Sequence, residues 1–463
     1  MSSHRLTARF ARLRLSQRSL GIIAIVCVLG LVAAGIVLVT VNSERAANSV
    51  GVAVPVAIKG VSVPKNTVIG VILTLGTSAE GSEWNGAAQG ARVAQQRLRL
   101  AGTGIELRAE TDGGTAEGGR QAVDRLVRAG VSGIVLASSG SHTDSAIAAA
   151  ARARIPLIAP YETIPDSFAH AEGVWSLAPS VKQESEAVKT ALGAAKHPLL
   201  IDAGGALGQD LSVSDRIVVT AGTDLNVLAS NVAARTNTDP TTNGAYLGGA
   251  SGNTPAPQSK VTANDAIVVS APARVQSAIL QALQAKNVTV PTILSSNATS
   301  PAFATASGSA SVATNIATIG AAWGDATALE RSVIGANMSA FLAAVRLCAT
   351  DSSVKNLSGD APFSTVAAQA DSRSHDAVLA LARALANVNS ADPHKVASAV
   401  HGMILEPRSG IAGPQLNFTR SSALDAPVAV LAGTLQNLQL RPDTTTSNVP
   451  SVTWFATPSS SSR

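Results

Sequence analysis

The stretch from Val131 to Thr163, VSGIVLASSGSHTDSAIAAAARARIPLIAPYET, leaves this chain few folds to choose from. Gly133 to Ala137 is a β-branched-rich run that breaks into Ser138, Ser139 and Gly140, residues suited to a tight polar turn. An Ala-rich helical segment follows, then Pro156 and a second apolar run, Leu157 to Ala159. Strand, loop, helix, strand and loop in about 30 residues is the size of one βαβ unit. Both loops fall at carboxyl ends of parallel strands, where open α/β sheets place ligands. Ser138, Ser139 and the turn Tyr161–Thr163 are therefore expected beside whatever is bound.

The same alternation extends both ways. Upstream, strand runs at 68–75 and 105–109 alternate with helical stripes at 84–98 and 121–128; downstream, 174–177 supplies one more strand. A second series has strand runs at 198–203, 217–219, 225–228, 265–270, 290–294 and 317–322, with a helix near 275–285. Three helical stretches follow at about 327–348, 373–388 and 394–402, then a strand at 427–432. Asn231 to Ala263, rich in Thr, Asn, Gly, Ala and Pro, reads as a long mobile loop, and 444–463 as a disordered Ser-, Thr- and Pro-rich tail. With 46% hydrophobic but only 3% aromatic residues, the core must be built from Ala, Val, Leu and Ile, which suits an α/β class. The pattern predicts mostly parallel sheets covered by helices.

The net charge of +5 resides in the first 19 residues. Setting aside Arg5, Arg9, Arg12, Arg14 and Arg18 leaves 30 Lys and Arg against 30 Asp and Glu, so no nucleic-acid surface is expected. Leu20 to Val41 is 22 residues without a charge, enough to cross a bilayer as a helix. The Arg-rich flank should stay in the cytoplasm, which places the chain after Asn42 outside, in a single-pass protein of the cell membrane. A cleaved signal peptide is the rival reading, although its apolar region is usually about 7 to 15 residues. Val26 before Cys27 does not suit a lipoprotein cleavage site, and Cys348 reads as a buried small hydrophobe.

Chemistry finds little footing. Seven histidines and two isolated cysteines show no metal-ligand spacing, so neither metal nor cofactor is expected. GGTAEGGR at 113–120 lacks the Gly-Lys-Ser/Thr ending of a phosphate loop, and no nucleophile elbow is present. His375-Asp376, inside a helical run, is expected to be structural, and no enzyme activity is expected.

Several stretches in order resemble the bacterial extracellular solute-binding proteins of the branched-chain amino acid and amide type: IGVILTLG at 69–76, GSEWNGAAQGARVA at 81–94, LASSGS at 136–141, PLIAPYET at 156–163, VWSLAPS at 174–180, ALGQDLS at 206–212, SHDAVLALARALA at 374–386 and GPQLNF at 413–418. The resemblance implies a two-lobed type I periplasmic-binding fold, each lobe a mostly parallel sheet flanked by helices, joined by three crossing strands. Carried onto this chain, it gives a basic tail (1–19), a transmembrane anchor (20–41) and a linker (42–66). Lobe one is 67–179 plus 325–408, lobe two is 180–324 plus 409–442, and 443–463 is a tail.

In that family a ligand carboxylate is received by small hydroxyl residues and backbone N–H groups from the two loops of lobe one. Ser138, Ser139 and Thr163 match. Tyr161 is expected to stack on ligand, and Trp84 either lines the cleft or packs in the core. Glu162 stands where Ala or Ser is usual, and Leu207 where an aromatic is usual. Ala271, Pro272, Ala273 and Arg274 stand where an acid would pair with an ammonium group. Glu162 and Arg274 are read either as a clamp of reversed polarity or as a lobe-to-lobe ion pair. The function implied is capture of a small polar solute (an amino acid, amide or similar) for an ABC permease. The alternative is a ligand-sensing or envelope scaffold of the same fold that binds a protein partner.

Overall fold

Short β-branched runs alternating with helices build two parallel-rich sheets, in a computed structural model that describes residues 55–76, 79–168, 171–204, 207, 211–236, 263–308, 315–436, 438–442 and 451–457. The expected membrane span at 20–41 lies outside those residues, as does 237–262 of the expected long loop.

The first sheet holds β1 (Val68–Leu73), β2 (Glu106–Thr111), β3 (Ile134–Leu136), β4 (Leu157–Ala159) and β5 (Val174–Ser176), all parallel, in the order β2-β1-β3-β4-β5. Between the strands run α1 (Gly90–Arg99), α2 (Ala116–Arg128) and α3 (Thr143–Ala153). The strands lack polar alternation because both faces are covered. Ile72, Ile134, Leu136 and Leu157 meet α2 and α3 through Val123, Leu126 and Ile147, whereas Val71, Val135 and Ile158 share a core with Ala91, Ala94 and Leu98 of α1.

The chain then passes to α4 (Val181–Leu192) and the second sheet: β6 (Pro198–Asp202), β7 (Asp215–Val218), α5 (Leu225–Arg235), β8 (Ala266–Ser270), α6 (Ala273–Ala285), β9 (Thr292–Leu294), α7 (Pro301–Ser307) and β10 (Ile316–Gly320). It returns to the first sheet with α8 (Val333–Thr350), α9 (Ser372–Val388), α10 (Pro393–His401), β11 (Ile404–Leu405) and β12 (Leu416–Asn417). It ends on the second sheet with β13 (Ala429–Gln436) and β14 (Ser451–Ala456). The parallel part of the second sheet, β7-β6-β8-β9-β10, repeats the strand order of the first; β13 and β14 add antiparallel.

In both sheets the order reverses beside the first strand of its series. That makes two topological switch points, at the carboxyl ends of β1 and β3 and of β6 and β8. The two ends are apposed: Glu83, just past β1, lies 3.5 Å from the backbone nitrogen of Ala273, just past β8, and residues 82–88 touch α7.

Close approach of α1 and α9 stiffens the first lobe. A Cβ on Gly90 would lie 1.8 Å from the carbonyl oxygen of Asp371. One turn on, the fully buried Asp376 carboxylate accepts the N–H groups of Ala412 and Gly413 at 2.7 and 2.9 Å, and His375 Nδ1 at 2.7 Å. His375 Nε2 lies 2.9 Å from Arg97 Nη1, so the ring accepts from the guanidinium and donates to Asp376. Burial lowers the His375 pKa, in keeping with that neutral tautomer.

The structure differs from the sequence reading in five places, the first being that Asn231 to Arg235, read as the start of the long loop, is the end of α5. Leu225 to Leu228, read as a strand, is the first turn of α5, because the Asp224 carboxylate caps the N–H groups of Asn226 and Val227. Residues 55–66 of the expected linker lie against the first lobe: Ile58 and Val61 are buried, and Arg97 Nε donates to the Val56 carbonyl at 2.8 Å. Ile411, Leu416, Phe418 and Leu424, expected in lobe two, belong to the core under the first sheet. Ser451 to Ala456, within the expected disordered tail, is β14, held by pairing with β13 and by Trp454 meeting Phe303.

Gly90→Ala should lower stability in urea by about 1–3 kcal/mol, because the new methyl meets backbone. Gly104→Ala, exposed with nothing within 4 Å of the new Cβ, should change it by less than about 0.5 kcal/mol. Equal effects at the two sites would contradict the close approach of α1 and α9.

Candidate functional site

At the switch point of the first sheet the side chains turn inward. Thr74, one residue past β1, places Oγ1 2.6 Å from Ser138 Oγ, two residues past β3, and donates to Asp112 Oδ1 at 2.7 Å. His142 Nε2 lies 3.2 Å from both Ser138 Oγ and Asp112 Oδ2, and its Nδ1 lies 3.3 Å from Glu80 Oε2. Thr74, Asp112, Ser138 and His142 are all buried. Burial alone would lower the His142 pKa, but hydrogen bonds and charge from Asp112 and Glu80 outweigh it and raise it. Ser138 Oγ is thus committed inside the lobe. The order of contacts has the look of a nucleophile, base and acid, yet the serine is fully buried within them.

A second group lies beside it. The Trp84 and Tyr161 rings stack with centroids 4.3 Å apart and planes 6° from parallel. The Arg373 guanidinium sits 4.9 and 4.8 Å from their centroids while making a two-pronged bond to Asp371, at 3.0 and 3.2 Å. Trp84 Nε1 donates to Ser139 Oγ at 2.8 Å, and Tyr161 OH meets Ser374 Oγ. Burial opposes the charge on Arg373, but Asp371 more than offsets it, so its pKa is raised.

Glu162 closes the arrangement. Its carboxylate accepts the backbone N–H of Gly140, from the loop after β3, and at 3.0 Å the N–H of Thr163, from its own loop after β4; the Thr163 hydroxyl donates at 3.4 Å. Burial pushes its pKa up to about 7, against those hydrogen bonds. Glu184 is the second such carboxylate. Ser180 and Gln183 form a capping box that starts α4, and this sets Glu184 in the first helical turn. It accepts the Ser296 hydroxyl from the loop after β9, and burial raises its pKa to about 7, with the charge of Glu162 adding to the rise. Behind Ser296, Gln276 Nε2 donates to the Ala271 carbonyl and to Ser295 Oγ, each at 2.7 Å.

No family model matches the chain, and no curated protein matches it. Solved structures do. The branched-chain amino acid transporter substrate-binding protein LivJ of Streptococcus pneumoniae, in complex with isoleucine, matches 84% of this chain over 100% of its own, with a TM-score of 0.56 at 16% identity. The leucine-binding protein LivK of Thermotoga maritima matches 84% over 98% (TM-score 0.55, 15% identity), and a type 1 periplasmic binding protein of Bordetella pertussis 81% over 98% (0.56, 15%). The chain has the type I periplasmic-binding fold. At these identities the likeness is one of fold.

Within that fold the eight sequence candidates separate. Trp84, Ser139, Tyr161, Glu162 and Thr163 lie together at the carboxyl end of the first sheet. Ser138 is next to them but faces the Thr74–His142 group. Leu207 is a core residue, packed with Val188, Leu200, Val268 and Ile319. Arg274 is exposed at the start of α6, and its charge acts on Glu83. Glu162 takes its hydrogen bonds from Gly140 and Thr163. Arg373, Glu184 and Gln276 escape a reading by motif, since each sits in a helix whose pattern already accounts for it. The signal for Glu184 is an acid buried directly after the crossing Ala178-Pro179.

Both glutamates ordinarily titrate near 4.5 and are raised in the folded protein, so the fold binds their protons more tightly than the unfolded chain does. Stability should therefore fall as pH rises from 4.5 to about 7 and level off above that. Glu184→Gln should match the wild type near pH 5 and exceed it at pH 8 by roughly 3 kcal/mol in denaturant unfolding. A difference independent of pH would contradict the buried carboxylate.

Proposed function

We propose that this chain is an extracytoplasmic solute-binding protein, tethered to the cell membrane by residues 20–41, which captures a small polar solute between its lobes for an ABC importer. The observation that carries this reading is the apposition of the two switch points, with Glu83 reaching the backbone of Ala273 across the cleft. Ligands of open α/β sheets bind at such points, and here two of them face one another. A solute touching both ends makes its full set of contacts only when the lobes are together, so it shifts the population toward the closed form. The solved relatives of this fold include proteins whose names record leucine, isoleucine and transport, which supports the same reading.

One observation favours a second reading, a ligand-sensing or scaffold protein that binds a protein partner. The hydroxyls of Ser138, Ser139 and Thr163 already have partners inside the chain.

Thermal unfolding of the full chain in mild detergent, followed by the fluorescence of its four tryptophans, separates the two. Amino acids, amides, amines and small sugars form the panel. A ligand at 100 times its dissociation constant adds roughly 2.7 kcal/mol, a rise of a few degrees in a chain of this length. A reproducible rise with one class is the expected outcome. A cooperative transition that no compound moves would contradict solute binding and favour the protein partner.

A further inference from the structure

This inference rests on the solute-binding reading and names the class of solute. We propose that the cleft takes a primary amine without an α-carboxylate, its ammonium group held between Glu162 of the first lobe and Glu184 of the second, with the Gln276 side-chain oxygen as third acceptor.

Two backbone donors at the end of the first sheet are already used. Gly140 N–H and Thr163 N–H, with the Thr163 hydroxyl, all go to Glu162, so an incoming carboxylate meets a carboxylate instead of donors. Across the cleft Glu184 is buried, and the charge of the half-buried Glu162 acts on it. Among the described residues, neither carboxylate belongs to an ion pair.

Gln276 supplies an independent observation. It is fully buried, and its Oε1 has no hydrogen-bond partner. The orientation of its amide is fixed, because the Ala271 carbonyl can only accept and therefore faces the nitrogen. The same nitrogen is tied to Ser295, the neighbour of the serine that binds Glu184. Two carboxylates and an orphaned amide oxygen match the three N–H donors and single charge of an ammonium group. Above pH 7, where both carboxyl groups ionise, a negative pair in this place is costly without such a partner. A hard divalent ion suits the site less well, since it asks for six or more oxygens and both oxygens of Glu162 are hydrogen-bonded.

Calorimetric titration of the full chain in detergent at pH 8, with putrescine and with leucine, tests this. Putrescine should bind and leucine should bind at least tenfold more weakly. Glu184→Gln and Gln276→Met should each weaken putrescine tenfold or more, and folding of each variant is checked by its thermal transition at pH 5. Leucine binding without putrescine binding would leave the solute-binding reading standing and overturn the amine. Putrescine binding that both folded variants retain would also overturn it, by moving the amine elsewhere. Silence from both compounds would overturn the amine, and silence across the wider panel as well would remove the solute-binding reading itself.

Discussion

The carboxylate of Glu162 holds two loops of one sheet together by taking a backbone N–H from each, and much of the cleft follows from that contact. Parallel strands ending side by side leave donors at their carboxyl ends, and those donors must be satisfied by solvent, ligand or protein. Here a side chain of the protein does it. The backbone carbonyl of Glu162 also accepts the Ser176 hydroxyl at 2.6 Å, at the end of β5 where the chain leaves for the second sheet. One residue thus links the β3 loop, the β4 loop and the first crossing.

The cost falls on charge. Three hydrogen bonds favour the ionised carboxylate, burial disfavours it, and burial is the larger effect, so the proton is held to about pH 7. Glu184 repeats the conflict on the other lobe, at a helix start that would favour a negative charge if it were exposed. The neighbouring Thr74, Asp112, Ser138 and His142 group resolves a similar conflict differently, since its acid has hydroxyl and imidazole partners. Arg373 is likewise buried with its charge matched, by Asp371 on one side and two aromatic rings on the other. The carboxylates that burial disfavours in this region are therefore Glu162 and Glu184, together with Glu83, which has the Ala273 N–H and the charge of Arg274 to offset it.

The fold was legible in the sequence because parallel strands buried on both faces leave short apolar runs such as Leu157–Ala159, bounded by Pro156 and Pro160. Errors came where local chemistry competes with composition. Leu225 to Leu228 is apolar enough for a strand, yet the Asp224 cap starts a helix, and Ser451 to Ala456 lies in a Ser-, Thr- and Pro-rich stretch, yet an antiparallel partner holds it as an edge strand. Loop position places Ser139, Tyr161 and Glu162 together at the carboxyl end of the first sheet. It did not show which way a hydroxyl turns, so Ser138 lies in the right turn and faces the interior. Contacts between residues more than 100 positions apart, such as Glu184 with Ser296 or Tyr161 with Ser374, leave no local pattern to read.

The contact on which the account depends is open to direct observation through the amide protons of Gly140 and Thr163. In a pH titration by nuclear magnetic resonance, an amide bonded to a carboxyl group follows its ionisation. Both amide shifts should move together with one inflection near the value of about 7 set by the buried Glu162. Shifts that stay flat, or that turn over near the ordinary 4.5 of an exposed glutamate, would show that Glu162 does not occupy those donors and would contradict the account of the cleft.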